Sequence, residues 1–435
     1  MSKRIDMDPP LPLCSSADQP ARARWLMIAF AFAATVINYL DRQTLSVVAP
    51  ALREEFNMSN EDYGYVLSAF MLAYTVSNGL SGPLLDRLGT RFGYALCMAW
   101  WSTAGILHAL ATGPWSLAGF RFLLGMGEAG NWPAAVKVVT EWFPARERAL
   151  AAGIFNSGAA IGAIIAPPLV TWLVLQFDWQ TAFVCVGVTG YLWLIGWWLV
   201  YRTPITVRAE MAAKPAAPWR LLKTRFLSVL TLSKVFLDPV WYFYIFWFPQ
   251  YLKSVHGFDL AKIGMTAWIP FVTADLGNIV GGWLTGHLIR RGWPSSTARK
   301  TVFGIFALLM TSAIPAILVT NVWLSVALIS VATFGYTGCN SNALAFPPDV
   351  VPKNMVASVW GLASMGSGFG GMLFSWLSGR MIDQYGYTPV FIAYGIMPLI
   401  AAALVLFAMG PLKPLPEFQR FEAQAASDND KTRFG

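Results

Sequence analysis

Four charged residues stand where charge is expensive. Asp41 and Arg42 close the run Asn38-Tyr39-Leu40-Asp41-Arg42 inside an apolar stretch, residues 25–50, and Arg121 and Glu128 lie inside another, residues 115–142. On insertion scales a charge at the centre of a membrane helix costs about 2.5–3.5 kcal/mol, so such residues face protein or a water-filled cavity. The chemistry they offer is specific. An arginine stays charged and presents a planar fork that fits a carboxylate. A carboxylate in dry surroundings can gain or lose a proton near neutral pH. Seven residues return an α-helix to within about 20° of the same face, so Arg121 and Glu128 share one stripe, about 10 Å apart along the axis. Asp41 offers the same proton chemistry as Glu128. Two readings stay open for Arg121: it binds an anion, or it holds Glu128 ionised. The plainer reading of Asp41 and Arg42 is an ion pair that pins helices together; the second charged pair downstream weighs against it.

The elements that must position these residues are membrane helices. The 435-residue chain is 56% hydrophobic and 12% charged, with mean hydropathy +0.51; a soluble domain carries roughly 25% charged residues. Apolar runs recur near 25–50, 63–84, 92–111, 115–142, 149–173, 180–200, 226–252, 263–289, 301–320, 322–346, 356–380 and 388–409. At about 20 residues per crossing this predicts about twelve transmembrane helices in an all-α integral membrane protein. Residues 1–20 are polar and Pro-rich, without the apolar core of a cleavable signal peptide. Cys14, Cys97, Cys185 and Cys339 show no metal or disulfide spacing and read as small apolar fillers.

Lys and Arg set the expected orientation. With the N-terminus inside, the outer loops hold only Arg53, Lys253, Lys262 and Arg380, and the spans only Arg42, Arg121, Lys137 and Lys234. The other 23 of the 31 fall on the inner side, so both termini are expected to be cytoplasmic. The net charge of +8 follows from that asymmetry and gives no reason to invoke nucleic acid. Residues 1–24 form an inner tail, 25–201 a first six-helix half, 202–225 an Ala/Pro-rich basic linker, 226–409 a second half and 410–435 a second inner tail. A repeat supports the division. Pro144, Ala149, Gly153, Gly158 and Gly162 match Pro352, Ala357, Gly361, Gly366 and Gly370 at one constant offset. Duplicated halves around a midplane site are the architecture of a secondary transporter.

Motifs narrow this further. Gly82-x-x-x-Asp86-Arg87-x-Gly89-x-Arg91 after the second span resembles the signature of the major facilitator superfamily, and Arg121-x-x-x-Gly125-x-Gly127 its second motif. Asn38 to Arg42, Gly127-Glu128-Ala129-Gly130-Asn131-Trp132-Pro133 and Glu141-Trp142-Phe143-Pro144 resemble the anion:cation symporter family within it. Asp238-Pro239-x-Trp241 and Ala267-Trp268-Ile269-Pro270-x-x-x-Ala274-Asp275-Leu276-Gly277 look like its hexuronate transporters. The resemblance spans about residues 25–410. One departure is Gly286-His287 in the second-half loop, where Asp-Arg would stand; that half's latch should be weaker.

The resemblance implies a proton-coupled symporter for small organic anions, hexuronates first and aldonates or other monocarboxylates second. It works by alternating access in a bacterial inner membrane, as a monomer, with the proton gradient for energy and no cofactor. Asp41 and Glu128 would carry protons, Arg42 would attract the substrate carboxylate, and Gly82, Asp86, Arg87, Gly89 and Arg91 would form a cytoplasmic latch. Sugar hydroxyls need neutral hydrogen-bonding groups, for which Tyr74, Asn156, Tyr242, Asn278, Asn340 and Ser364 are candidates; each is as readily a helix–helix hydrogen bond. Lys234 and Asp238, four apart, can neutralise each other, whereas Asp275 lacks a cation one turn away. His108 and the tryptophans Trp115, Trp172 and Trp179 read as interfacial.

Two other classes compete. Gly79-Leu80-Ser81-Gly82 matches a G-x-S-G nucleophile pattern, but Ser81 runs directly into the loop motif, where small residues serve packing. No P-loop, H-E-x-x-H or G-x-S-x-G elbow appears, so an ATP-driven pump or hydrolase lacks its parts. A non-transporting sensor on the same fold is the remaining alternative.

Overall fold

The structure, a computed structural model, describes residues 21–143, 147–201, 224–351 and 356–413. The two tails up to residue 20 and from residue 414, most of the 202–225 linker, and Cys14 lie outside it. The described residues form helices and short connections, with no strand. That follows from the solvent, because a lipid-exposed backbone must satisfy every N–H and C=O internally.

The first half contains α1 (Ala21–Glu55), α2 (Asn60–Leu107), α3 (Pro114–Glu128), α4 (Asn131–Trp142), α5 (Arg148–Gln176) and α6 (Trp179–Val200). The second contains α7 (Arg225–His256), α8 (Leu260–Thr266), α9 (Ile269–Arg290), α10 (Ser295–Leu309), α11 (Ala313–Leu318), α12 (Val322–Leu344), α13 (Phe346–Val350), α14 (Val356–Tyr385) and α15 (Tyr387–Ala403). Eight of the helical stretches are long and apolar enough to cross a membrane on those grounds alone. The two limbs of α2, the α3–α4 pair and α14 complete twelve crossings.

Local chemistry sets the breaks. Gly89, at φ 74° and ψ 159°, turns α2 back on itself, so that Gly93 packs on Leu85; a side chain would be strained at that φ. Ser59 and Asp62 form a capping box that starts α2. Asp178 caps α6, and hydrogen bonds from Thr181 hold its carboxyl below the usual range. Between α3 and α4, Ala129 and Gly130 form a hitch directly after Glu128.

The internal repeat is a packing device. A methyl on Gly158 or Gly162 of α5 would strike the backbone carbonyls of Phe32 and Val36 on α1, and one on Gly366 or Gly370 of α14 those of Thr231 and Val235 on α7. Each half therefore seats its first helix on glycines of its fifth, where small residues let membrane helices approach closely. Leu192, Leu199, Ile279 and Phe407 are exposed although apolar, as expected of a surface wetted by lipid.

The halves meet chiefly towards the end that carries the connections after Glu55, His256 and Tyr385. Asp383 of α14 accepts from the backbone N–H groups of Asn60 (3.0 Å) and Glu61 (2.7 Å), and from the Asn60 side-chain amide at 2.7 Å. It thereby caps α2 from the opposite half. Lys253 pairs with Glu54. Ser46 and Tyr63 donate to the carbonyls of Ile245 and Phe246, and Gly264 abuts Thr171. Further down the same seam, Ser68 donates to the Met372 carbonyl.

Candidate functional site

Asp41, Arg42, Arg121 and Glu128 are all buried, and the structure gathers them at the junction of α1, α2 and α3. The Arg42 Nε donates to Glu128 Oε2 at 2.6 Å. Its guanidinium carbon lies 4.6 Å from the Tyr74 ring centroid and 5.3 Å from those of Tyr39 and Phe70. An arginine desolvated against aromatic faces gains cation–π attraction, which helps to keep this guanidinium charged inside the bundle. Arg121 stands over Phe70 at 5.8 Å and its Nη2 reaches the Arg42 carbonyl at 3.5 Å.

The direct partner of Glu128 is Arg42 of another helix, and its stripe-mate Arg121 makes no hydrogen bond to it. Both face the same way, but about 10 Å of rise separates them, and Arg42 enters at the level of Glu128. Asp41, next in the chain to Arg42, points elsewhere. An α-helix rotates about 100° per residue, which takes Asp41 towards Gly105 on the second limb of α2, where α6 also passes at Gly187.

This cluster holds two cations, two carboxylates and one direct ion pair. Asp41 Oδ2, Arg42 Nη2, Arg121 Nε and Nη1, Glu128 Oε1 and both amide atoms of Asn38 are buried without a hydrogen bond in the protein. Buried polar groups are normally satisfied. A concentration of such atoms on two facing helices, α1 and α3, therefore marks a place suited to exchanging partners.

The remaining candidates are spread over both halves. Asn156, Asp275, Asn278, Asn340 and Ser364 are half-buried. Tyr74 lies under Arg42, and the Tyr242 hydroxyl meets Ser367 at 3.1 Å. Lys234 and Asp238 bond at 2.7 Å, and the Tyr336 hydroxyl donates to Asp238 at 3.3 Å. Sequence reasoning passed over Tyr39, Phe70, Trp241 and Tyr336. Two of these carried a signal: Phe70 and Tyr74 are four apart, and Tyr39 and Arg42 three apart, so each pair shares a helix face.

In the loop motif, Gly82 lies on α2 and Gly89 makes its turn. Arg87 is exposed, and Arg91 donates to the Trp198 carbonyl at 3.0 Å with its guanidinium 5.0 Å from the Trp198 ring. The Asp86 side chain lies outside the described residues. Buried Glu141, further along the chain, accepts from Thr90 of this motif and from Tyr201 at 2.7 Å. Ser81 donates to the backbone carbonyls of Asn78 and Ala129, which is packing and not nucleophile geometry. His108 is fully buried and not interfacial: it stacks on Phe183 at 5.0 Å and bonds the Ala104 carbonyl at 2.7 Å. Trp115 and Trp172 are exposed, but Trp179 is buried and donates to Glu55 at 2.6 Å. Among the described residues no group of His, Cys, Asp and Glu is arranged to hold a metal.

Known proteins resemble this chain over most of its length. A hexuronate transporter of Escherichia coli is 34% identical over 91% of this chain and 95% of its own length. A D-galactonate transporter of another Escherichia coli strain is 30% identical over 92% of this chain and 98% of its own. The crystal structure of a bacterial homolog of the human lysosomal transporter Spinster, in an inward-facing and unoccupied conformation, superposes with a TM-score of 0.73 at 20% identity, covering 90% of this chain and 98% of that one. The family pattern of the Major Facilitator Superfamily matches residues 31–298 and 292–431, and the chain belongs to that superfamily of membrane transporters.

Proposed function

We propose that the protein is a proton-coupled symporter that brings hexuronates such as glucuronate and galacturonate across a bacterial inner membrane. The observation that carries this reading is the Arg42–Glu128 pair, buried and cradled by aromatic rings, with Asp41 and Arg121 beside it. A substrate carboxylate competes with Glu128 for the Arg42 fork. A released Glu128 in a low-dielectric site favours taking a proton, so substrate binding and protonation become linked. Asp41 is the second proton carrier, and Arg121 holds the local charge balance while either carboxylate titrates. Half-buried Asn156, Asn278, Asn340 and Ser364, with Asp275, line the way for the polyhydroxylated remainder of the substrate. Hexuronate stands first because the relatives of that name share most of the chain; aldonate stands second for the same reason.

The two halves, residues 25–201 and 226–409, rock about this site as a monomer and need no cofactor beyond the ion gradient. With both termini cytoplasmic, the end closed by Asp383 and Lys253 is the outer one. The loop of Gly82, Asp86, Arg87, Gly89 and Arg91 latches the opposite state. A reporter fused after Gly435 checks the orientation; periplasmic activity would reverse it.

The deciding experiment is uptake by purified protein in liposomes. Labelled glucuronate should accumulate under an inward proton gradient without ATP. Binding without flux would make the protein a sensor. Flux insensitive to the gradient would remove the proton coupling.

A further inference from the structure

Lys234 and Asp238 are buried in mid-helix, with side chains 6% and 4% exposed, and lie on the half opposite the Arg42 cluster. Their bond is 2.7 Å. The Lys234 ammonium lies 4.6 Å from the Trp360 ring centroid, and Asp238 also accepts from Tyr336. The pair is connected to the first half by rings. Tyr336 lies flat against Trp241, at 5.1 Å and 6° between planes. Trp241 and Tyr39 stand on α7 and α1, which pack against each other across the interface between halves, and Tyr39 lies under Arg42. An aromatic path therefore runs from the unsaturated cation of the first half to a self-neutralised ion pair in the second.

We infer that the Lys234–Asp238 pair is the second pole of the substrate site and restricts it to sugar acids with a single carboxylate. The inference rests on the reading of the Arg42 cluster as a sugar-acid site. A molecule held there by its carboxylate, with its C–H face against the rings, points its far end at this pair. Lys234 retains N–H donors and Asp238 an acceptor edge, which suit a hydroxyl or a ring oxygen. A second carboxylate is poorly served. The charge of Lys234 is already neutralised, and Asp238 repels an anion at contact distance. The pair thus separates uronates and aldonates from aldarates, which carry a carboxylate at both ends.

The test is competition against labelled glucuronate uptake by the full-length chain in liposomes, with glucarate and gluconate as competitors. In the unaltered protein glucarate should compete at least about 10-fold more weakly than glucuronate, because like charges at contact distance repel strongly at low dielectric. Asp238→Asn frees the ammonium, and the gap should close to within about 3-fold by the same electrostatics. Adding Lys234→Gln to Asp238→Asn should reopen it. This double variant leaves no unpaired charge and so guards against a folding failure in the single one. It should also erase the preference for glucuronate over an analogue deoxygenated at the far end. Unchanged discrimination in both variants, or an equal loss towards all competitors, overturns the inference while leaving the transport reading intact. Failure of the unaltered chain to take up any sugar acid removes both.

Discussion

In the first half, four buried charges on α1 and α3 form one direct ion pair, whereas in the second Lys234 and Asp238 on α7 bond each other at 2.7 Å. The scaffolds beneath them are the same: glycines of α5 support α1 and glycines of α14 support α7. The atoms left without hydrogen bonds differ. Asp41, Arg42, Arg121 and Glu128 all contribute such atoms; Lys234 and Asp238 contribute none. A duplicated frame has thus been given two electrostatic characters. An ion pair within one helix is neutralised locally and changes little as helices move. Charges on different helices can change partners, which is what coupling one ligand to another requires.

The sharpest way to break that contrast is at Arg42. Arg42→Ala leaves Glu128 buried and unpaired, which costs about 3–5 kcal/mol when a buried pair loses one member. Glucuronate binding should vanish and the thermal midpoint should fall. Arg42→Lys should restore part of the stability but not the binding, since an ammonium has no planar fork; normal binding in that variant would take Arg42 out of the substrate site.

Glu128→Gln tests the exchangeable partner more selectively. It mimics the protonated state, so exchange of labelled for unlabelled substrate should persist while accumulation under a proton gradient disappears. Retained accumulation would shift the coupling role to Asp41 or Asp275. A hexuronate moving with two protons carries net positive charge inward, worth about 2.3 kcal/mol per charge per 100 mV. Accumulation by the unaltered protein should therefore rise with an inside-negative potential. Indifference to potential would mean that one proton moves per substrate and one of the two carboxylates is a spectator.

Tyr74→Leu removes a ring from beneath the Arg42 guanidinium. A desolvated cation–π contact of up to about 2 kcal/mol predicts an affinity loss of about 10-fold or somewhat more. Tyr74→Phe should be near neutral. If Tyr74→Phe fails as badly, the hydroxyl and not the ring is what matters there.

The closed end should respond more mildly. Asp383 caps α2 with charge-assisted bonds, and caps contribute about 0.5–2 kcal/mol. Asp383→Asn should therefore raise the outward-open fraction several-fold, read as faster thiol labelling at an introduced Gln250→Cys. Glu54→Gln, which removes an exposed partner of Lys253, should change labelling little, as surface pairs contribute about 1 kcal/mol or less. The reverse order of effects would make the ion pair the clasp and Asp383 incidental.

The sequence by itself determined whatever depends on neighbours along the chain. Twelve crossings, the duplicated glycines and charges too costly to face lipid are local or periodic properties, and a backbone in lipid has one open-ended solution, the helix. Hence the superfamily, and Asp41, Arg42, Arg121 and Glu128 as residues of interest, were legible before any coordinates. Tertiary structure alone decided who faces whom. Arg42 and Glu128 lie 86 residues apart, and no spacing rule connects two helices. Asp41 and Arg42 are adjacent yet diverge, because one residue of helix is a large rotation and each side chain follows the neighbour it meets. His108 and Trp179, which read as interfacial from their place near span ends, are buried because the crossing of α2 with α6 and the end of α1 cover them. Depth along a helix is written in the sequence; azimuth is settled only when the helices pack.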